Sequence, residues 1–271
     1  MTGAGRGLGR AYSLLLAERG ANVLVHDAGV APDGSGFDPT VADAVVAEIR
    51  AAGGVAEAAY DNLMTREGCD GVLAAAVERF GRLDALVHNA GLSLHRAVEE
   101  TDEESWSRLL RVNGEAAFRL VRAAFPVMRA QQYGRIVLTV TGHALSSDAS
   151  SADLVAYATT KAMQFGLMNA AAAAGEPYGI RVNAISPVAA TRMYTREVAA
   201  GELMPEQVAP GAVFLASSEC QVSAVVLRAA NGRFSLGGYA VTQGIDLGRV
   251  PATPELVAAS WEEITAGLDR P

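Results

Sequence analysis

The sequence predicts an α/β protein built on a doubly wound, mostly parallel sheet, and three observations carry that expectation. Apolar runs of strand length alternate with amphipathic stretches of helix length along the chain. A glycine-rich turn, Thr2-Gly3-Ala4-Gly5-Arg6-Gly7-Leu8-Gly9, leads straight into the first helical stretch. Tyr157 and the chain's single lysine, Lys161, stand one helical turn apart in a later helix.

The first helix is expected over residues 10–18, and Gly20 stops it, since glycine adopts positive φ without a Cβ clash. Residues 23–26 form the strand that follows. A helix over 41–52 ends in Gly53-Gly54, and 55–60 reads as a strand. Residues 66–80 are helical and 83–88 extended. A long helical region covers 102–131, with a bend expected near Pro126. Strand 135–141, helix 154–174, strand 180–185, helix 205–216 and strand 222–227 complete the series. Two segments break the rhythm. Residues 28–40 are rich in Gly, Pro and Asp, and residues 145–153 are rich in Ser, so both read as surface loops. No repeat or domain-sized linker interrupts residues 1–271, which are expected to form one domain with 228–271 as a C-terminal extension.

Composition removes several classes of function. Half of the 271 residues are hydrophobic and 19% are charged, a mix that excludes a disordered chain. No stretch approaches 18 uninterrupted apolar residues, and the first ten residues lack an apolar segment behind a basic tip. The expectation is a cytoplasmic protein with no membrane partner. Two cysteines and four scattered histidines support neither a disulfide framework nor a metal site. A net charge of −8 argues against nucleic acid as a partner.

The chemistry lies in two constellations. In the Thr2–Gly9 turn, glycines permit positive φ and let the backbone approach a pyrophosphate, which the following helix N-terminus attracts. Such a turn can also do no more than join a strand to a helix. Asp27, 18 residues past Gly9 at a strand end, adds a carboxylate placed to accept both ribose hydroxyls of NAD. Arg6 could reach a 2′-phosphate, but Asp27 repels that phosphate at shorter range, so NAD is preferred over NADP. The second constellation is Tyr157-Ala158-Thr159-Thr160-Lys161. Helical spacing puts the phenol and the ammonium on one face, where a cation would lower the phenol pKa toward working pH. Such a tyrosine can protonate a carbonyl or deprotonate an alcohol. Of 22 basic residues only Lys161 is not arginine, and a compact ammonium is not replaceable by a planar guanidinium where the fit is tight.

With these motifs the sequence resembles the short-chain dehydrogenase/reductase family, whose fold is Rossmann-like. The Thr2–Gly9 turn is similar to its TGxxxGxG motif, Val87-His88-Asn89-Ala90-Gly91 to its NNAG motif, and Tyr157/Lys161 to its YxxxK pair. Asn113 falls on the family's active-site asparagine. Within the family, the chain is similar to the (3R)-hydroxyacyl-CoA dehydrogenase part of the peroxisomal multifunctional β-oxidation enzyme and its bacterial relatives. GRGLGRAYSLLLAERGANVLVHD, the loop after Asp27, AAYDN, QQYGRIVLT and SPVAATRM carry that similarity. The resemblance implies Tyr157 as general acid/base and Lys161 on the nicotinamide ribose. It implies that Asn113 holds a water relaying protons to Lys161. Thr2, Gly3, Arg6, Gly7, Leu8, Gly9, Asp27, Asp61, Asn62, Asn89, Ala90, Gly91, Pro187 and Thr191 would surround NAD, with Asp61 and Asn62 at the adenine and Pro187 and Thr191 at the nicotinamide. It further implies a homodimer or homotetramer, a role in lipid metabolism and a hydrophobic secondary alcohol or ketone as substrate, of the 3-hydroxyacyl-CoA or steroid type.

Three departures qualify this. The family's substrate-positioning serine falls on Thr141 by strand register, with Ser146 and Ser147 as competitors in the loop. His88 replaces the first asparagine of NNAG, and Val188 the glycine that normally follows the proline at 187. Met1 directly precedes the glycine turn, so the sheet is expected to lack its central first strand; the patterning of the rest favours a chain that starts upstream. Thr141 and the missing strand together leave a second functional class open, a catalytically impaired nucleotide-binding or regulatory protein of the same fold.

Overall fold

Parallel β-strands with helices on both faces are the consequence of the alternating pattern. The protein is described here from a computed structural model, which describes residues 1–31, 33–146, 149–194, 197–248 and 251–267. Helix α1 (Gly7–Glu18) leads to β1 (Asn22–His26), α2 (Thr40–Ala51), β2 (Val55–Ala59), α3 (Arg66–Phe80) and β3 (Ala85–His88). Helix α4 (Glu103–Leu109), a π-helical turn (Leu110–Glu115) and α5 (Ala116–Gln131) follow, then β4 (Gly134–Thr139), α6 (Val155–Gly175) and β5 (Ile180–Val188). The chain continues through α7 (Ala209–Ala216), β6 (Val226–Ala230) and β7 (Arg233–Gly237). The break in the long helix lies at the π-turn and not at Pro126, which sits inside α5.

Two compact units result, Met1–Gly237 and Gly238–Pro271. In the first, β1 and β2 pair in parallel, and β3-β4-β5-β6-β7 form a second set, parallel except for β7. Thr2 bridges His26 of β1 and His88 of β3, so the two sets are joined through the slot where the first strand was expected. That slot holds Met1 and Thr2: Met1 O accepts from His26 N at 3.0 Å, and Thr2 N donates to Val87 O at 3.0 Å. β6 and β7 are a hairpin turned by Asn231-Gly232, both at positive φ (49° and 71°), as a tight two-residue turn requires. Most of this hairpin falls within the segment expected as a C-terminal extension. The second unit contains α8 (Pro254–Ala259), capped by the Thr253 hydroxyl, and α9 (Trp261–Ile264).

Burial explains why the strands read as continuous apolar runs. Every residue of β4 is buried. Ile136 and Leu138 pack with α3, α5 and α6 residues on one face, whereas Val137, Val87 and Ile185 pack with α1 and α7 residues on the other. α1, α2, β1 and β2 close a third cluster around Val25 and Ile49. The strand order reverses at the Thr2 slot, and at the C-terminal strand ends beside such a reversal a crevice opens.

Candidate active site

A cavity of about 990 Å³ occupies that crevice. The glycine turn forms one wall. Gly3 has φ +60°, and a Cβ there would lie 2.8 Å from Ala90 Cα, so glycine is what lets the turn and the 89–91 segment meet. Asp27, at the end of β1, ties the turn down: Oδ2 accepts from Gly5 N at 2.9 Å and Oδ1 from Gly29 N at 2.8 Å. Each oxygen keeps a further lone pair for a ligand hydroxyl. Gly3, Arg6, Gly7, Leu8 and Asp27 line the cavity, as do Asp61, Asn62, Asn89, Ala90 and Gly91. Pro187 and Thr191 line its other side.

Thr2, Gly9 and Asn113 stand behind this lining. The Thr2 hydroxyl accepts from Asn89 N and Ala90 N, both at 3.2 Å, so its proton goes to His88 Nδ1 at 2.9 Å. His88 therefore joins the turn to β3, and burial first, then the Lys161 charge, lowers its pKa to about 3. Asn113, in the π-turn, exchanges hydrogen bonds with the Leu92 backbone (Oδ1 from Leu92 N and Nδ2 to Leu92 O, each 3.0 Å). Its backbone carbonyl accepts from Gln164 Nε2 at 2.7 Å. A Cβ on Gly91 would come within 2.9 Å of Asn113 Oδ1 and 3.0 Å of Lys161 Nζ, so this glycine keeps both groups close behind the cavity wall.

Tyr157 and Lys161 share one face of α6 and both line the cavity. Lys161 is buried and donates from Nζ to Thr139 O at 2.8 Å; burial brings its pKa down to about 7. Tyr157 departs from the expected lowered pKa. Burial raises it, and the hydrogen bond that opposes the rise comes from Thr141, not from the Lys161 ammonium, which is held on the Thr139 carbonyl. Thr141 stands at the cavity floor just past β4, its oxygen also accepting from His143 N at 3.3 Å. Ser146 lines the cavity and bonds Gly142 O at 3.4 Å; Ser147 lies outside the described residues. The lining also includes His143, Arg192, Tyr194 and Arg228, which no sequence motif singled out, although Arg192 directly follows Thr191.

The family model for short chain dehydrogenases matches residues 1–202. The chain belongs to the short-chain dehydrogenase family. It is therefore an oxidoreductase of the class that acts on CH–OH groups with a nicotinamide dinucleotide. The chain is 37% identical over 269 residues to a short-chain type dehydrogenase/reductase of Mycobacterium tuberculosis, covering 98% of this chain and 92% of that one. It is 38% identical over 274 residues to the peroxisomal multifunctional enzyme type 2 of Drosophila melanogaster, covering 98% of this chain but 44% of that enzyme. A 3-oxoacyl-[acyl-carrier-protein] reductase of Staphylococcus aureus is 34% identical over 69% of this chain and 72% of its own length. Among solved structures, a short chain dehydrogenase from Mycobacterium avium superposes with a TM-score of 0.84 at 35% identity, over 97% of this chain and 92% of that one. A metagenomic short-chain oxidoreductase in complex with NADP gives 0.70 at 28%, over 84% and 94%.

Proposed function

We propose that this short-chain dehydrogenase interconverts a secondary alcohol and a ketone on an acyl thioester of the 3-hydroxyacyl/3-oxoacyl class, with NAD(H) preferred. The observation that carries the reading is that Thr141, Tyr157 and Lys161 line one cavity, with Tyr157 and Lys161 one turn apart on α6. Gly3 lets the glycine turn and the 89–91 segment close on one another, and together they form the cavity wall on which a dinucleotide fits. When bound, the nicotinamide supplies or accepts the hydride.

The chain's own groups handle the proton. Tyr157 Oη gives a proton to the substrate oxygen during reduction and takes it back during oxidation. The Thr141 hydroxyl, fixed by the end of β4, aligns that oxygen with the phenol. A Lys161 ammonium with a pKa near 7 loses or regains a proton at little cost, so it can replenish Tyr157. Leu92, Leu154, Val188 and Met193 make part of the cavity wall apolar, which suits an acyl chain. The Staphylococcus relative's name fits the same substrate class.

The test is turnover with a panel of 3-hydroxyacyl-CoAs and hydroxysteroids. Wild-type protein should oxidise one thioester series, and Tyr157→Phe should lower the rate by about 10²-fold or more while NADH still binds. Normal turnover by the Phe variant overturns the proton role of Tyr157.

A further inference from the structure

Directly after the cavity floor comes a histidine that no motif accounts for. Thr141 caps a short 3₁₀ turn, Gly142–Ala144, its hydroxyl oxygen accepting from His143 N at 3.3 Å. The hydroxyl assigned to the substrate oxygen therefore also fixes the backbone of His143, and His143 lines the same cavity. Its ring is held from a second side, where Nδ1 and the Ser151 hydroxyl lie 2.9 Å apart. With Ser151 donating to Nδ1, the ring proton stands on Nε2 and the imidazole offers one N–H donor.

Neighbouring polar groups leave that donor available. Among the described residues Nε2 has no hydrogen-bond partner. Asp153, also in the lining, feels the His143 charge, but it is engaged by the segment after β3. Its Oδ2 meets His95 Nδ1 at 2.9 Å, and its backbone oxygen accepts from Arg96 N at 2.6 Å. The Ser146 hydroxyl donates to Gly142 O at 3.4 Å. His143 is thus a polar donor fixed beside Thr141, on a wall that Leu154, Val188 and Met193 make otherwise apolar.

A 3-oxoacyl thioester carries two carbonyls one methylene apart, so a substrate whose 3-oxo oxygen meets Thr141 and Tyr157 brings a second acceptor to their immediate surroundings. We infer that His143 Nε2 donates to the thioester carbonyl and so selects substrates with a second carbonyl one methylene from the reacting carbon. The inference rests on the 3-oxoacyl reading of the site and adds to it the residue that tells such a thioester from a simple ketone. The bond also restricts rotation of the acyl chain and presents the reacting carbon in one orientation. Ser151 acts through His143, by holding the ring, and is a positioning residue.

Two substrates isolate this contact: a 3-oxoacyl thioester of N-acetylcysteamine, and the matching ketone in which methylenes replace the thioester carbonyl and its sulfur. Reduction by NADH is followed for both, and each variant is compared with the wild type on the same substrate, so intrinsic reactivity cancels. His143→Leu should lower kcat/KM on the thioester by about tenfold or more and leave the ketone within about twofold. His143→Gln keeps an N–H donor and should restore part of the loss. Ser151→Ala should cost about threefold, on the thioester alone. NADH affinity, measured by fluorescence, should be unchanged in all three. Equal losses on both substrates, or no loss on either, overturn the role of His143. If His143→Leu does not fold, Ser151→Ala carries the test by the same criterion. A wild type that turns over hydroxysteroids and neither acyl substrate overturns the thioester reading itself, whereas one that reduces the thioester leaves that reading standing even if the variants remove His143 from it.

Discussion

Lys161 is the only lysine in the chain, so one residue can be watched by itself. Its folded pKa of about 7 lies well below the usual value near 10.5 because burial disfavours the ammonium, with the Thr139 carbonyl as its hydrogen-bond acceptor. Lysine labelled at Cε should therefore give a single side-chain NMR resonance titrating near pH 7; a midpoint near 10 would show that the site is wet. The fold favours the neutral amine, so this group adds stability as pH rises from about 7 toward 10.5 and gives it up as pH falls through that window. Thr141 offers a second residue-scale prediction. Thr141→Ala should lower kcat/KM with NADH affinity nearly unchanged, and Ser146→Ala should be almost silent, because the Ser146 hydroxyl sits on a loop and donates to the Gly142 carbonyl. The reverse pattern would move substrate positioning into the loop. At this scale the sequence was legible for pairs one helical turn apart. That burial raises the Tyr157 pKa was not legible, because it depends on how α6 packs beside the end of β4.

Elements show where pattern reading succeeds and where it stops. The buried parallel strands and the helices around them follow from apolar runs and periodicity. The π-turn at Leu110–Glu115 left no such trace, because one extra residue per turn does not change which side chains are apolar. Asn231-Gly232 is a strong two-residue hairpin signal and Arg233-Phe234-Ser235-Leu236 alternates polar and apolar, so the strand signal of β7 was present in a segment expected only as a C-terminal extension. The end of β1 carries a prediction about the nucleotide. Asp27 is held by Gly5 N and Gly29 N with its charge toward the cavity, so a ribose 2′-phosphate there meets like charge. NADH should bind about tenfold tighter than NADPH, and Asp27→Ala should narrow the gap. Fluorescence titration of both nucleotides measures it; equal wild-type affinities would remove Asp27 from cofactor selection.

At the scale of the molecule, the sheet is closed at its centre by two residues. Met1 and Thr2 pair with the C-terminal ends of β1 and β3, while no strand among the described residues pairs with the slot-facing edges nearer Asn22 and Ala85. The Met1 amino group is buried there, donating to Leu24 O at 3.0 Å, and burial lowers its pKa to about 5 from a usual 8. Between those values the unfolded chain binds a proton that the folded chain does not, so stability rises with pH across the window. A protein carrying about ten additional residues ahead of Met1, mostly Val, Ile and Leu, would fill the slot with the apolar run a buried parallel strand needs. It would also turn the buried amine into an amide. The extended protein should melt higher, gain at least as much from NADH, and exceed the 271-residue chain by more at pH 6 than at pH 8. His26 and His88, whose pKa values burial lowers first, contribute to the pH dependence of both proteins, and the extension also removes the lesser lowering that the amino-terminal charge gives each. Thermal unfolding of the two proteins at both pH values, with and without NADH, is the measurement. Equal melting temperatures at pH 6 and pH 8 would mean that Met1 and Thr2 alone satisfy the centre of the sheet.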